Sequence, residues 1–387
     1  MFGEEVLLVH YSEIALKGGN RAYFERALVR NLKRALPSDS VSGLQRLSGR
    51  IVVRLTDRPN KEAILESMGK VFGASWFAFA HLTGASYDEI ERTVLTTLAS
   101  RISNAESFMV RGVRADKGFP LSSMELNTKL GDSIVREFGT KVDLKRPALT
   151  IGVEVTKHGC LVFADRQRGL GGLPVGSSGK VLCLMSGGID SPVAAWLAMK
   201  RGASPDYIHF HPFDDNAEAI NSKISHLVRL LNAYSDETRC SFVPTYQFSL
   251  STTGVPARYD VVLFRRFMLK CAQRKAEEVN AKALVTGESL AQVASQTLDN
   301  MSVIHRATEM PILMPLVAHD KQEIIDLAKK IGTYDISLMP YKDCCSIIAR
   351  HPETKAKLDI VQRLEAKIGL DNVVDECLRD SKWVRFD

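Results

Sequence analysis

The sequence lacks the cysteine spacings that bind zinc or an iron–sulfur cluster. Its seven cysteines stand at positions 160, 183, 240, 271, 344, 345 and 377, and they form no Cys-x-x-Cys pair. An odd number of cysteines without a regular framework is typical of free thiols in a reducing compartment. We therefore expect no disulfide framework and regard the thiols as candidates for catalysis.

Long apolar runs are also missing. None approaches the roughly 20 residues of a membrane-spanning helix, and the first residues lack the basic and then apolar layout of a signal peptide. The apolar share of 45% and the charged share of 25% are ordinary for a globular protein. These features predict a cytoplasmic protein without a membrane partner. The length of 387 residues predicts two or three domains.

A third absence is the phosphate loop of common kinases and ATPases. The nearest segment, residues 176–180, lacks the first glycine at the required spacing, and Val181 follows it where serine or threonine is needed. Any phosphate site in this chain must therefore be built in another way.

Residues 181–191 offer such a site. The apolar run 181–185 leads into Ser186-Gly187-Gly188-Ile189-Asp190-Ser191, and a helix-forming segment follows Pro192. This order predicts a strand, a tight loop and a helix, with the proline in the first helical turn. Glycines let the backbone approach a phosphate closely, and a helix N-terminus stabilises its negative charge. The segment therefore predicts an anion-binding loop.

The motif Ser-Gly-Gly-x-Asp-Ser at residues 186–191 resembles the signature of PP-loop ATP pyrophosphatases. Members of that family cleave ATP between its α and β phosphates and transfer AMP to an oxygen atom. The resemblance implies adenylation chemistry. The alternative is an ordinary glycine-rich turn, which the surrounding strand and helix pattern disfavours.

The positive charge is concentrated in one half of the chain. Residues 1–172 contain 25 Lys and Arg against 19 Asp and Glu, whereas residues 173–387 contain 26 of each kind. A basic half joined to a neutral half indicates that the first half holds a polyanion. A solvated basic surface is the alternative that the charge alone leaves open.

Residues 1–168 show the strand and helix patterns of two small α+β units. In the second unit, residues 114–120 precede a helix entry at 122–126, and residues 142–147 follow. This order of segments resembles the THUMP domain, an RNA-binding module of tRNA-modifying enzymes. Taken singly, Met124 and Leu126 are more typical of core packing, and Ser123 and Glu125 are also typical of a helix start. The resemblance implies RNA contacts through Arg114, Lys117, Lys145 and Arg146.

Residues 169–179 are rich in glycine and serine, which is typical of a linker. Beyond them, strand patterns alternate with helices expected near 192–201, 217–233 and 260–280. Such alternation predicts a parallel sheet with helices on both faces, and ligands bind at the carboxyl ends of its strands. The strand ends at which we expect site residues are Leu184, Met185, His209, Phe210, Thr286 and Gly287.

The order of small α+β unit, THUMP-like domain and PP-loop domain resembles the tRNA 4-thiouridine synthetase family, also called thiamine biosynthesis sulfurtransferases. The resemblance covers essentially the whole chain, and further matching segments are Arg265, 286–296, 319–321 and Asp343-Cys344. It implies a multidomain α/β and α+β fold. The implied domains are a ferredoxin-like domain at 1–60, a THUMP domain at 61–168, a linker at 169–179 and a PP-loop domain with a parallel sheet at 180–387.

The resemblance implies an ATP-dependent enzyme that adenylates O4 of a uridine in tRNA and replaces it with sulfur from a cysteine persulfide, giving 4-thiouridine. Cys344 would deliver the sulfur, and Lys321 would stabilise the leaving pyrophosphate, although Lys321 is also typical of a solvated helix start. Asp190 would hold Mg²⁺, because this hard cation prefers carboxylate oxygen. The implied ATP contacts are Cys183, Leu184, Met185, Ser186, Gly187, Gly188, Asp190, Ser191, His209, Phe210, Arg265, Gly287 and Gln296.

The implied ligands are tRNA, ATP and Mg²⁺, and the implied partner is a cysteine desulfurase or another persulfide or sulfide donor. The resemblance leaves open a thiamine sulfur-carrier protein as a second acceptor, and also a homodimer. Many family members carry a C-terminal rhodanese domain with a second active cysteine, whereas this sequence ends at Asp387. We therefore expect a short form, for which the sulfur donor and the resolving thiol stay open.

Two other functions stay open on the sequence. A PP-loop enzyme of the amidotransferase type would need a glutaminase partner and would have no need for Cys344. An RNA-binding protein with a vestigial ATP site would bind tRNA without modifying it. Incubation with tRNA, ATP and a persulfide source separates the three functions, because only the first yields 4-thiouridine.

Overall fold

The computed structural model describes residues 3–47, 49–342 and 352–386. The chain divides into two units, Met1–Leu173 and Pro174–Asp387. Each unit is organised around its own sheet. No helix within the described ranges is both long enough and apolar enough to cross a membrane.

The first unit is a mixed sheet with helices packed against it. The strands that its described residues form are β1 (Glu4–His10), β2 (Val41–Leu47), β3 (Arg50–Leu55), β4 (Trp76–Thr83), β5 (Ser107–Arg114), β6 (Lys141–Val142), β7 (Leu149–Thr156), β8 (Gly159–Ala164) and β9 (Gln167–Arg168). The helices are α1 (Arg21–Ala35), α2 (Lys61–Met68), α3 (Tyr87–Thr97), α4 (Ala99–Ser103) and α5 (Ser123–Phe138), and a 3₁₀ segment spans Glu13–Asn20.

The first sheet runs in the order β2-β3-β1-β4-β8-β7-β5-β6, and β9 pairs with β4. β5 pairs in parallel with β6 and β7, and the pairs of β1 with β3 and β4 are antiparallel. Because side chains alternate along a strand, Leu7 and Val9 of β1 share one face. They pack with Leu28 of α1 and Ile64 of α2 in one buried core.

The second unit alternates strands and helices. Its described strands are β10 (Lys180–Leu184), β11 (Ser204–His211), β12 (Thr238–Pro244), β13 (Leu284–Val285), β14 (Ile312–Leu313) and β15 (Lys382–Phe386). Its helices are α6 (Asp190–Lys200), α7 (Asn216–Ile220), α8 (Lys223–Asn232), α9 (Tyr246–Ser251), α10 (Asp260–Glu278), α11 (Leu298–His305), α12 (Lys321–Ile331), α13 (Tyr334–Leu338), α14 (Leu358–Ile368) and α15 (Leu370–Arg379), with 3₁₀ segments at Ala257–Tyr259 and Ala294–Gln296.

The second sheet runs in the order β14-β13-β10-β11-β12-β15. Neighbours are parallel except at the edge, where β15 pairs antiparallel with β12. The chain proceeds from β10 through β11 to β12 on one side and then returns to place β13 against the other side of β10. Sheets of this kind bind ligands in the crevice where the strand order reverses. The crevice between the ends of β10 and β13 is therefore the expected ligand site.

One predicted helix is two helices in the structure. The sequence predicts a continuous helix over residues 217–233, but α7 ends at Ile220 and α8 begins at Lys223. The Ser222 side chain accepts a hydrogen bond from Ile224 N–H and caps the second helix. Serine competes with the helical backbone in this way and so favours a helix start over a helix interior. The break places Lys223 at the first position of α8.

Candidate nucleotide-binding site

A cavity of about 150 Å³ lies where β10 and β13 end side by side. Its walls come from the end of β10, the loop before α6, the middle of α10 and the segment after β13. The parallel pairing of the strands brings these distant parts of the sequence together. The residues that line the cavity are Leu184, Ser186, Asp190, Ser191, Arg265, Met268, Thr286, Gly287 and Gln296.

The loop before α6 is held closed by its two serines. Ser191 Oγ accepts a hydrogen bond from Ser186 N–H at 3.0 Å. Gly188 N–H donates to Ser186 Oγ at 3.3 Å. The N-cap residue of α6 is Ile189, whose side chain has no acceptor for the first helical N–H groups. The positive end of the helix dipole is thus open to an anionic ligand.

Gly287 lets the end of β13 approach the start of α6. A Cβ atom at this position would lie 2.9 Å from Ser191 N and 3.0 Å from the carbonyl carbon of Asp190. Both contacts are with backbone, which cannot move aside as a flexible side chain can. Glycine is therefore required here by packing, and the close approach narrows the cavity around the helix N-terminus.

Asp190 lies between two side chains from distant parts of the unit. Lys321 Nζ donates to Asp190 Oδ1 at 2.5 Å, and Gln292 Nε2 donates to Oδ2 at 2.9 Å. Lys321 is the first residue of α12, whose start is fixed by a capping box between Asp320 and Glu323. The two residues that the sequence analysis assigned to Mg²⁺ and to pyrophosphate therefore contact each other directly.

Arg265 is oriented by a buried carboxylate. Its Nη2 donates to Glu288 Oε1 at 2.7 Å, while Thr286 Oγ1 donates to Glu288 Oε2 at 2.8 Å. His305 Nε2 lies 3.1 Å from the same Oε2. Burial alone would raise the pKa of Glu288, but the charge of Arg265 and the contact with His305 hold it far below its ordinary value. The carboxylate is thus ionised and fixes the guanidinium at the cavity wall.

Gln296 presents an unsatisfied acceptor to the cavity. The residue is only 8% exposed, and its Oε1 has no hydrogen-bond partner among the described residues. Leaving a buried acceptor unpaired costs roughly 1–3 kcal/mol. A ligand that donates a hydrogen bond here would recover that cost, so the cavity is chemically suited to a ligand with N–H or O–H groups.

Three segments of the chain match known protein-family models. Residues 176–370 match the model described as thiamine biosynthesis protein (ThiI), residues 6–78 match the ThiI ferredoxin-like domain, and residues 84–165 match the THUMP domain. The chain belongs to the ThiI family. The family and the fold class that the sequence predicts are both confirmed.

The similarity to relatives in the ThiI family covers nearly the whole chain. The probable tRNA sulfurtransferase of Brevibacillus brevis is 38% identical over 97% of this chain and 94% of that protein. The probable tRNA sulfurtransferase of Coxiella burnetii is 37% identical over 99% of each chain. A crystal structure of a 4-thiouridine synthetase–RNA complex with bound ATP is similar with a TM-score of 0.88 and 34% identity, over 99% of this chain and 100% of that chain.

Three of the residues predicted at strand ends in this ThiI-family chain line the cavity: Leu184, Thr286 and Gly287. Met185 leads directly into the loop, but its side chain is buried, as are those of His209 and Phe210 and that of the predicted ATP contact Cys183. Burial also raises the pKa of the Cys183 thiol far above its ordinary value. Any nucleotide contact of Cys183, Met185 or Phe210 would therefore be made by main-chain atoms.

The four predicted RNA contacts are spread along β5 rather than gathered at one point. Arg114 ends β5 and donates to the carbonyl oxygens of Phe119 and Leu121, and Lys117 is exposed nearby. Lys145 and Arg146 are exposed in the turn after β6, which pairs with the start of β5. The rise of a strand, about 3.3 Å per residue, puts about 20 Å between the two positions.

The predicted sulfur-delivering residue, Cys344, lies outside the described residues, as do Cys345 and Arg350. The cysteines inside the described ranges are all free and buried. Burial raises the pKa of the Cys377 thiol to about 11 and that of Cys160 to about 12. A reactive cysteine needs a stabilised and accessible thiolate. The described thiols are thus poorly suited to sulfur transfer.

Several residues of the site were missed on the sequence. Met268 lines the cavity, Glu288 orients Arg265, and Gln292 contacts Asp190. Residues 286–296 stood out as a matching segment, which is the signal that could have found two of these three. Met268 offered no such signal, because a methionine in an apolar helix is typical of a core position.

Proposed function

We propose that this ThiI-family protein is an ATP-dependent tRNA uracil 4-sulfurtransferase. The observation that supports this most strongly is the cavity that unites an open helix N-terminus with the Asp190–Lys321 pair and Arg265. The N-terminus of α6 and the Arg265 side chain are suited to anionic phosphates, since a helix dipole and a guanidinium both stabilise negative charge. The substrates are a tRNA uridine and ATP.

The first step is adenylation. O4 of the uridine attacks the α-phosphorus of ATP, an O4–P bond forms, and the bond from that phosphorus to the bridging oxygen of pyrophosphate breaks. The N3 proton of the base is released, so the base stays neutral. The N–H groups at the start of α6 and the Lys321 ammonium stabilise charge on the leaving group. Adenylation must come first because a carbonyl oxygen leaves C4 poorly, whereas AMP leaves readily.

Asp190 fits the part of a magnesium ligand. The described residues contain no group of three or more His, Cys, Asp and Glu side chains that could hold a metal by themselves. Mg²⁺ is commonly held by one or two carboxylates together with substrate phosphates, so a single aspartate beside a phosphate loop is the expected donor set. The ion would neutralise charge on the leaving pyrophosphate.

The second step is sulfur transfer from Cys344. The terminal sulfur of a Cys344 persulfide attacks C4, a C–S bond forms, and the C–O bond to AMP breaks. The base is then linked to Cys344 through a disulfide. A second thiol, or an external thiol reductant, attacks Sγ of Cys344, and the S–S electrons remain on the sulfur of the base as 4-thiouridine. Lys342 and Arg350 neighbour this cysteine in sequence and can favour its thiolate.

The two halves of the chain divide the work in this proposal. Residues 1–168 hold tRNA through their basic surface, and residues 180–387 carry out the chemistry. The sulfur donor is a cysteine desulfurase or another persulfide or sulfide source. A thiamine sulfur-carrier protein as a second acceptor, and assembly as a homodimer, belong to the same proposal and need separate binding measurements.

The test follows both steps in one assay. The purified protein is incubated with unmodified tRNA, ATP, Mg²⁺ and a persulfide source, and both pyrophosphate and 4-thiouridine are measured. We expect both products from the unaltered chain. With the persulfide source, Cys344→Ser should release pyrophosphate and form no 4-thiouridine. Cys345→Ser is its matched control and should retain substantial activity with the same persulfide source and with free sulfide.

Ammonium and glutamine replace the sulfur source in a parallel reaction. An aminated nucleoside there, or full thiolation by Cys344→Ser with the persulfide source, would contradict the proposed mechanism. Binding of tRNA without release of pyrophosphate would indicate the vestigial-site function instead.

A further inference from the structure

His209 connects the phosphate loop to the segment that precedes Cys344. Its Nδ1 lies 2.7 Å from the carbonyl oxygen of Met185, and its Nε2 lies 2.7 Å from the hydroxyl oxygen of Tyr341. A carbonyl oxygen can only accept, so Nδ1 carries the proton and Nε2 accepts from the Tyr341 hydroxyl. Met185 is the residue immediately before the loop, and Tyr341 stands three positions before Cys344.

The environment of the His209 imidazole fixes which atom donates in its hydrogen bond with Tyr341. His209 is 1% exposed, and burial lowers its pKa to about 3. The ring is therefore neutral over the physiological range and stays an acceptor for Tyr341. The titratable groups around it are His211, whose ring stacks at 6.2 Å, and Tyr341 itself. Burial also lowers the pKa of His211, so neither ring adds a positive charge.

Lys223 also binds the segment that precedes Cys344, through main-chain carbonyl groups. It is 8% exposed, and its Nζ donates to the carbonyl oxygens of Ser337 at 2.7 Å and Met339 at 2.8 Å. These carbonyls lie at the end of α13, where a cation also complements the helix dipole. A buried ammonium is tolerated only when it is hydrogen-bonded, because an unpaired buried charge is costly. The two hydrogen bonds therefore fix both the Lys223 side chain and the chain at residues 337–339.

Gly187 of the loop is packed closely against the side chains of Lys223 and Tyr341. A Cβ atom there would lie 2.7 Å from Lys223 Cε and 3.3 Å from Tyr341 Cδ1. The Tyr341 ring is also packed edge-on against Phe213, with ring centres 5.8 Å apart. The loop and the approach to Cys344 are thus in contact through side chains that the nucleotide cavity does not use.

We propose that His209, Tyr341 and Lys223 are positioning residues that fix the chain leading to Cys344 against the phosphate loop, so that sulfur is delivered where the base is activated. This inference rests on the proposed function. Three residues of extended chain reach about 11 Å, so anchoring at Tyr341 confines Cys344 to that radius. If only the Tyr341 contact is lost, Lys223 still holds the carbonyl of Met339, and five residues of extended chain reach about 18 Å. The volume accessible to Cys344 would then rise about fivefold.

The test compares two sulfur donors in Tyr341→Phe. This variant keeps the ring and its packing but removes the hydroxyl that bonds His209, so the fold should be retained. With persulfide carried on the protein, we expect single-turnover thiolation to fall about fivefold, in line with the lower effective concentration of the tethered sulfur. The KM for ATP and the rate of pyrophosphate release should change less than twofold. Tyr334→Phe, in α13 of the same segment, is the matched control and should match the unaltered chain.

Free hydrosulfide separates positioning from general damage. Hydrosulfide can attack C4 directly, form the C–S bond and displace AMP, and it needs no tether. The deficit of Tyr341→Phe should therefore disappear at high sulfide concentration. An equal deficit with both donors, an unchanged rate with persulfide, or a parallel loss of adenylation would each overturn the inference. Absence of 4-thiouridine from the unaltered chain would instead contradict the proposed function itself.

Lys223 supplies a second, independent variant. Lys223→Met removes the ammonium and leaves two carbonyls unpaired, while Lys223→Arg keeps a cation in reach of them. We expect the arginine variant to recover more than half of the persulfide-dependent rate that the methionine variant loses. Equal losses in both variants, with pyrophosphate release intact and unfolding temperatures unchanged, would exclude Lys223 from the positioning set.

Discussion

Asp190 accepts hydrogen bonds from the Lys321 ammonium and the Gln292 amide, and a substitution can test whether its negative charge is needed. Asp190→Asn keeps the shape of the side chain and removes the counter-ion of Lys321. We expect pyrophosphate release to fall at least about a hundredfold, since the carboxylate that would hold Mg²⁺ and that pairs with Lys321 is lost, while tRNA affinity stays within twofold. The measurement is pyrophosphate release at saturating tRNA. Asp326→Asn, on the exposed side of α12, is the control, and unimpaired release by Asp190→Asn would contradict the assignment.

Glu288 predicts a pH dependence with a defined sign. Its pKa in the folded chain is far below its ordinary value, mainly through Arg265 and His305 acting against burial, so its ionised form stabilises the fold. That contribution is present above about pH 4.3, the unfolded value, and is lost as the pH falls toward the depressed folded pKa. Glu288→Gln should lower the free energy of unfolding by about 3–5 kcal/mol at pH 7.

Denaturant unfolding at a series of pH values checks this expectation. The difference between Glu288→Gln and the unaltered chain should shrink steadily below about pH 4.3. Glu309→Gln, at an exposed position of the same unit, should show no such trend. A difference that is constant with pH would mean that the charge of Glu288 contributes nothing.

Sequence reasoning reached some side chains of the site and not others. Ser186 and Asp190 follow from a local motif, because strand, loop and helix are adjacent in the chain. Lys321 and Arg265 followed from resemblance alone, and nothing near them in sequence points to the cavity. The contact of Tyr341 with His209 spans 132 positions, so no local pattern could have indicated it.

At the scale of elements, the junction of β13 with α6 depends on one missing side chain. Gly287→Ala would place a methyl group 2.9 Å from backbone, and overpacking of this kind costs about 1–3 kcal/mol. We expect that loss in the free energy of unfolding, together with weaker ATP binding measured by calorimetry. Gly188→Ala is the stability control, because its nearest neighbour would be at 3.5 Å, an ordinary contact. Equal stability of the two variants would show that the junction can relax.

Alternation of patterns was enough to predict the parallel sheet, because buried strands and amphipathic helices have different periods. It was not enough to find the break before α8 or the antiparallel edge strand β15. The break depends on the Ser222 side chain, which accepts from Ile224 N–H two residues away; an N-cap serine is a local signal, but the helical pattern on both sides concealed it. β15 is joined to β12 only by tertiary pairing, which a window of sequence cannot indicate.

For the whole molecule, the uneven charge predicts salt-dependent tRNA binding. Lys145→Ala together with Arg146→Ala should weaken binding and lower the slope of log affinity against log salt by about 2, roughly 0.9 per lost phosphate contact. Lys157→Ala, an exposed lysine of the same unit, is the control. Filter binding of unmodified tRNA at several salt concentrations gives both slopes. An unaltered slope in the double variant would remove these residues from the RNA surface.

The pairing of Asp190 with Lys321 joins positions 131 apart in the chain, and β10 meets β13 only after two other strands have been made. Forming a contact between residues so far apart in sequence first costs the entropy of closing the long loop between them, and the contact stabilises the chain only afterwards. On the ribosome the phosphate loop therefore emerges long before the residues that complete its cavity. The lining of the cavity is complete only when Gln296 has left the exit tunnel, so we expect ATP to stabilise the nascent chain only at a late stage of folding.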